Sequence, residues 1–225
     1  MNSKCCRGVF AAVLGSLTAP AFALSVGMVD TFQGGLTDGW ASGPANPNPP
    51  VNVANGGPLG IGDGYLQITS TGTPPSGTPT AGGKLVAFSG PQWAGDYIGT
   101  GVTAIDMDVS NLGATDLDLR LAFQGSSGTA LSTDAIQVAA GSGWTRLSFP
   151  VDPGALTGPA VAALSGVTQF RLYHSPSAVF VGPAIEAQLG VDNITAVPEA
   201  GTGLMLVAGL ATLVASKNLR RRRSW

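Results

Sequence analysis

The sequence predicts an all-β protein, an antiparallel jelly-roll-like β-sandwich, flanked by an N-terminal signal peptide and a C-terminal transmembrane helix. Three observations predict it. Apolar residues across 24–196 recur with a period of two, and nowhere hold a 3.6-residue period over about eleven positions. Clusters of Gly, Pro, Asn and Ser, at 43–50 and 71–83, separate the alternating runs. Seven of the 11 basic residues stand at the two ends of the 225-residue chain, beside uncharged stretches.

At the N-terminus, Lys4 and Arg7 precede an uncharged stretch, 8–19, and then Pro20 and Ala21-Phe22-Ala23. A positive start, a short apolar run and small residues at Ala21 and Ala23 predict signal cleavage between Ala23 and Leu24. The 2 cysteines, Cys5 and Cys6, leave with that segment, so no disulfide is expected in the mature chain.

In the body, Ile105, Met107 and Val109 alternate with Ala104, Asp106 and Asp108. Leu117, Leu119, Leu121 and Phe123 alternate with Asp116, Asp118, Arg120 and Ala122. Each set predicts a strand with one buried and one wet face. Further strands are predicted at 65–70, 84–89, 135–139, 144–149, 167–173 and 186–195. So many short strands without a repeat predict one sandwich domain over 24–196.

At the C-terminus, residues 200–216 form 17 positions without a charge, followed by Lys217 and Arg220, Arg221, Arg222 and Arg223. A helix of that length reaches ~26 Å, at the short limit for a ~30 Å hydrocarbon core. The arginines stay cytoplasmic, so both ends are held inside and the body lies outside. The chain divides into 1–23, 24–196 and 197–225.

Composition excludes several functions. Within 24–196 only Lys84, Arg120, Arg146 and Arg171 oppose twelve acids, so the body lacks the basic surface of a nucleic-acid binder. With 1 histidine, a zinc cluster or a His-based catalytic centre has almost nothing to be built from. With 44% apolar residues the chain can bury a core.

Val197-Pro198-Glu199-Ala200, then the apolar run and the arginines, resembles the PEP-CTERM sorting signal of exported proteins in exopolysaccharide-making Gram-negative bacteria. Ala200 stands where that signal usually has proline. The resemblance implies signal peptidase and Sec-type export machinery as partners, and an inner-membrane intermediate. It also implies that exosortase, a membrane-embedded cysteine protease, recognises the motif and removes the helix, leaving the protein at the cell surface or in exopolysaccharide. Pro198 blocks helix continuation, and Glu199 keeps the motif at the membrane–water boundary.

Asp30-Thr31-Phe32-Gln33-Gly34-Gly35, leading to Asp38-Gly39-Trp40, resembles the opening strand of carbohydrate-binding, galactose-binding-like jelly rolls. Gly62-Asp63-Gly64-Tyr65-Leu66 is similar to their next strand, and Leu189-Gly190-Val191-Asp192-Asn193-Ile194 to their closing one. The resemblance implies a structural Ca²⁺ between an acid on the first strand and an aspartate on the last, here Asp30 and Asp192. Gln33 stands where relatives commonly carry an acid. No other cofactor is expected.

If 105–109 and 117–123 form a hairpin across 110–115, then Asp106, Asp108, Asp116 and Asp118 share one face. A solvated acidic face is the expectation there, and a Ca²⁺ site the alternative. A glycosidase pair is disfavoured, because exposed alternation leaves nothing to raise a carboxyl pKa. His174 is expected at the surface near a strand end. Trp93 and Tyr97, in the loop 90–97, and Trp40 are the expected sugar platforms, whereas Trp144, on a strand, is expected in the core. The leading function is a non-catalytic exported protein whose body binds carbohydrate; a structural surface protein without a ligand comes second and a secreted hydrolase last.

Overall fold

The computed structural model describes residues 24–74, 77 and 81–198. The signal segment with Ala21 and Ala23, the motif residues Glu199 and Ala200, and the cluster Arg220 to Arg223 lie outside the described residues.

Along the chain run β1 (Val29–Asp30), β2 (Val51–Val53), β3 (Tyr65–Thr71), β4 (Val86–Phe88), α1 (Tyr97–Thr100), β5 (Val102–Asn111), β6 (Leu117–Gly125) and β7 (Gly128–Ser132). They are followed by β8 (Ile136–Val138), β9 (Thr145–Pro150), β10 (Leu156–Thr157), α2 (Ala160–Leu164), β11 (Val167–His174) and β12 (Glu186–Pro198). One sheet has the order β2-β3-β12-β5-β9, with β1 added against β12. The other has the order β10-β7-β6-β11-β4, with β8 added against β6. All pairings are antiparallel. The protein is thus the two-sheet sandwich that the alternation predicts.

The core lies where the period of two places it. Ile105, Met107 and Val109 from the first sheet and Leu117, Leu119, Leu121 and Phe123 from the second are all completely buried. The connection between the two strands corrects one expectation. β5 and β6 belong to different sheets, because residues 112–116 cross the edge of the sandwich instead of turning a hairpin. The four aspartates therefore do not share a face. Asp106 and Asp108 lie on the first sheet, Asp116 accepts from the Ala140 N–H at 2.8 Å, and Asp118 sits opposite Gln137.

β12 is the central strand of the first sheet, flanked by β3 and β1 on one side and β5 on the other. Leu189 and Val191 point inward, so strict alternation would turn Ile194 and Ala196 outward. A β-bulge prevents this. Between Asp192↔Asp108 and Thr195↔Asp106 two residues oppose Met107, and Asn193 takes a φ of 51°. The extra residue shifts the phase, so Ile194 and Ala196 are completely buried too. The strand runs on past residue 196: Val197 pairs with Ala104 and Pro198 with Val102, where proline's missing N–H ends the ladder.

A buried carboxylate joins the first strand to the rest. Asp30, 7% exposed, accepts from Trp40 Nε1 at 2.7 Å, Trp93 Nε1 at 2.6 Å and Gln92 Nε2 at 3.2 Å. Both indoles meet the Phe170 ring edge-on, at 5.3 and 5.2 Å. Burial raises the Asp30 carboxyl above its usual range, and the indole and amide donors pull it partly back. Replacing Asp30 by Ala leaves two buried N–H donors without acceptors. Asp30→Ala is expected to lower the unfolding free energy by about 3–5 kcal/mol, and Asp30→Asn by less, as measured by urea titration.

Candidate functional site

Burial removes the expected aromatic platforms from consideration. Trp93 and Tyr97 are completely buried and Trp40 is 2% exposed, so none can offer a ring face to a ligand. The loop that carries Trp93 and Tyr97 is a short 3₁₀ turn followed by α1, folded inward. There the Trp93 N–H reaches Asp30, and the Tyr97 hydroxyl donates to the Trp93 carbonyl at 3.0 Å. His174 is also inside, at 6% exposure, where its Nδ1 accepts from the Asp118 backbone N–H at 3.0 Å. Burial lowers its pKa, with the Asp118 charge opposing, and a neutral ring is the form that accepts this bond.

The aromatic ring that does face outward is the one expected in the core. Trp144 immediately precedes β9, in which Leu147 and Phe149 are buried and Arg146 and Ser148 are exposed. By parity Trp144 belongs with Arg146 on the outer side, and it is half-buried there. Its indole lies over the central strand at Gly190. A Cβ at Gly190 would come within 2.9 Å of Trp144 Cη2 and 3.3 Å of Tyr65 Cδ2, so only glycine leaves room. Tyr65 on β3 meets the indole edge-on, with centroids 5.3 Å apart and planes at 75°. Trp144 Nε1 donates to the Gly56 carbonyl at 2.8 Å, tying the connection between β2 and β3 to this face. Sequence parity with Leu147 and Phe149 was the signal for this residue.

Polar groups surround the pair. Asp108 and Asp106, on the same face of β5, are each 3.4 Å from the Arg146 guanidinium on β9. The Asn193 side chain, projected by the bulge, donates to Asp108 at 2.9 Å. Asp192 beside it is completely buried, and accepts from the Asn193 backbone and side-chain N–H groups at 2.8 and 3.2 Å. Burial, with smaller contributions from the charges of Asp63 and Asp108, pushes the Asp192 carboxyl up to about 7 against the Asn193 backbone bond. A groove lined by Thr69, Thr71, Glu186 and Gln188, among others, of about 540 Å³, occupies one end of the face. A second, of about 400 Å³, lies at the other end among Thr31, Gln33, Asp63 and Asn193, under Leu59 and Ile61. From Glu186 to Thr195 the face extends ~26 Å along β12, enough for an oligosaccharide.

The expected Ca²⁺ does not fit Asp30 and Asp192. Asp30 points into the core, where N–H donors surround its carboxylate, and Asp192 belongs to the opposite side of the sheet. Gln33 turns its amide to Asp63, at 2.5 Å, and not toward Asp30. Among the described residues no group of three or more His, Cys, Asp or Glu is placed to hold a metal ion.

Comparison with solved structures finds chains of similar fold. The chain is similar to part of an exo-β-agarase, at 14% identity and a TM-score of 0.54, over 78% of this chain and 26% of that one. It is similar to part of a second agarase, at 13% identity and a TM-score of 0.50, over 77% and 24%. The family 11 carbohydrate-binding module from Clostridium thermocellum, solved with a β-1,3-1,4-mixed-linked tetrasaccharide, is 16% identical over 78% of this chain and 98% of that one, at a TM-score of 0.48. The chain thus spans about a quarter of the length of the agarases it matches. No family model matches the sequence, and no curated protein matches it. What the chain shares with the agarases is the fold.

Proposed function

We propose that this chain is a non-catalytic exported protein whose sandwich binds carbohydrate on the outer face of its first sheet. The observation that carries the proposal is the half-buried Trp144, laid on Gly190 and propped by Tyr65. A flat ring held against a sheet offers an apolar surface to the C–H face of a pyranose, and the surrounding carboxylates, guanidinium and amides are spaced to bond its hydroxyls. The fold shared with parts of two agarases supports the same proposal. Against catalysis stand the ion pairing of Asp106 and Asp108 with Arg146 and the enclosure of His174.

The C-terminal segment supplies the cellular half of the proposal. Export through a Sec-type signal and recognition by exosortase would deliver the sandwich to the cell surface or the exopolysaccharide. The first two motif residues, Val197 and Pro198, belong to β12. Glu186 and its groove lie at the far end of β12 from Pro198.

Two outcomes are expected. Trp144→Ala should weaken retention in polysaccharide-containing native gels by about tenfold or more while the protein stays folded, its thermal midpoint lowered by the lost Tyr65 and Gly56 contacts; equal retention of the variant removes Trp144 from the site. The mass of the protein recovered from its producing cells should correspond to a chain starting at Leu24 and lacking the apolar helix. A chain intact through Trp225 overturns the sorting half.

A further inference from the structure

On the carbohydrate reading above, we propose that the ligand is a glycan bearing free amino groups, and that Arg146 is an internal cation it displaces from Asp106 and Asp108.

The charges on the face carry this proposal. Glu186 lines one groove and Asp63 the other, while Asp108 stands opposite Arg146, two positions along β9 from Trp144, and Asp106 lies further along β5, level with Thr195 of β12. Arg146 is the cation set against these acids, and it is loosely held. Its side chain is 48% exposed, and it reaches each carboxylate at 3.4 Å, longer than a well-formed charge-assisted bond. It also leaves work undone. The Oδ1 atom of Asp106 is buried and has no hydrogen-bond partner among the described residues. A long, exposed, two-sided ion pair contributes little to stability, so its replacement by a ligand cation costs the fold little.

An ammonium group suits this arrangement. It is a compact charge with three donors, and it can approach a carboxylate from directions that the planar guanidinium cannot. A glucosamine chain with one unit stacked on Trp144 would lay the amino groups of the following units along β9 toward Asp108 and Asp106, which stand opposite Arg146 and Ser148, the next two outward positions of that strand. The same charges oppose uronate or sulfate groups, which would meet like charge everywhere on the face but at Arg146. The body as a whole has twelve acids against four basic residues, so its long-range field favours a cationic polymer as well.

The test is calorimetric titration of the full chain with β-1,4-linked oligosaccharides of equal length that differ in charge: glucosamine, N-acetylglucosamine, glucose and a uronic acid. The glucosamine oligomer should bind about tenfold or more tighter than the two neutral ones, and the uronic acid oligomer should not bind. That advantage should vanish as ionic strength rises from about 0.01 M to about 1 M. Arg146→Ala should tighten glucosamine binding, Asp106→Asn with Asp108→Asn should reduce it to the neutral level, and Trp144→Ala should abolish it. Equal or better binding of a neutral oligomer, or any binding of the uronic acid, overturns the charge assignment and leaves the carbohydrate reading standing. Glucosamine binding that survives Trp144→Ala is diffuse attraction to an acidic surface, and also overturns the assignment. Failure of all four oligomers to bind takes the carbohydrate reading down with it.

Discussion

The missing side chain at Gly190 is the constraint on which the outer face depends. β12 is the central strand of its sheet, and every other position on that side carries atoms that would hold an indole away. At Gly190 the Trp144 ring settles so close to the backbone that a single methyl group would collide with it. Once the ring lies there, Tyr65 packs against its edge and the Gly56 carbonyl receives its N–H. The connection carrying Leu59 and Ile61 is then fixed beside the face. One glycine thus converts a flat sheet surface into a ringed platform with a groove at each end.

The interior meets a different requirement, that of placing polar groups in a core without stranding them. Asp30 accepts from two indoles and an amide that come from separate parts of the chain. Arg120, 5% exposed, donates to the carbonyls of Ser132, Thr133, Ser175 and Pro176, with no carboxylate as counter-ion among the described residues. Arg171 meets that requirement only in part: it lies over the Phe180 ring at 3.7 Å and bonds Gln124 at 2.9 Å, while its buried Nε has no partner among the described residues. These bonds use the partial charges of backbone and amide groups, which cost less to bury than full opposite charges. Two of the body's four cations are thereby spent inside or under loops, and the first sheet's outer face is left acidic.

The architecture was legible in the sequence because long amphipathic strands record their burial in their alternation. The inward sets of β5 and β6 could be named residue by residue. Short strands such as β2, β7 and β10 show no period and went unseen, whereas β4 and β8, equally short, fall inside the predicted runs 84–89 and 135–139. The pairing of β5 with β9 and β12 instead of β6 was hidden as well, since a six-residue connection suits a hairpin or a crossing between sheets equally. For the site, Trp93 and Tyr97 sit in a loop rich in Gly and Pro, which suggested exposure. What buries Trp93 is an acceptor 63 positions away at Asp30, and local sequence does not carry that information. Trp144 was readable, since its parity with Leu147 and Phe149 sets it on the wet side. Its strand location misled only when strand was equated with core.

The central claim is that Trp144, and not the buried tryptophans, meets the ligand. Nitrogen-15 correlation spectra of the indole N–H groups, recorded while a bound oligosaccharide is titrated in, test it directly. The resonance of Trp144, identified by its loss in Trp144→Phe, should shift progressively, while those of Trp40 and Trp93, locked onto Asp30, stay in place. Movement of Trp40 or Trp93 with Trp144 unchanged would contradict the account.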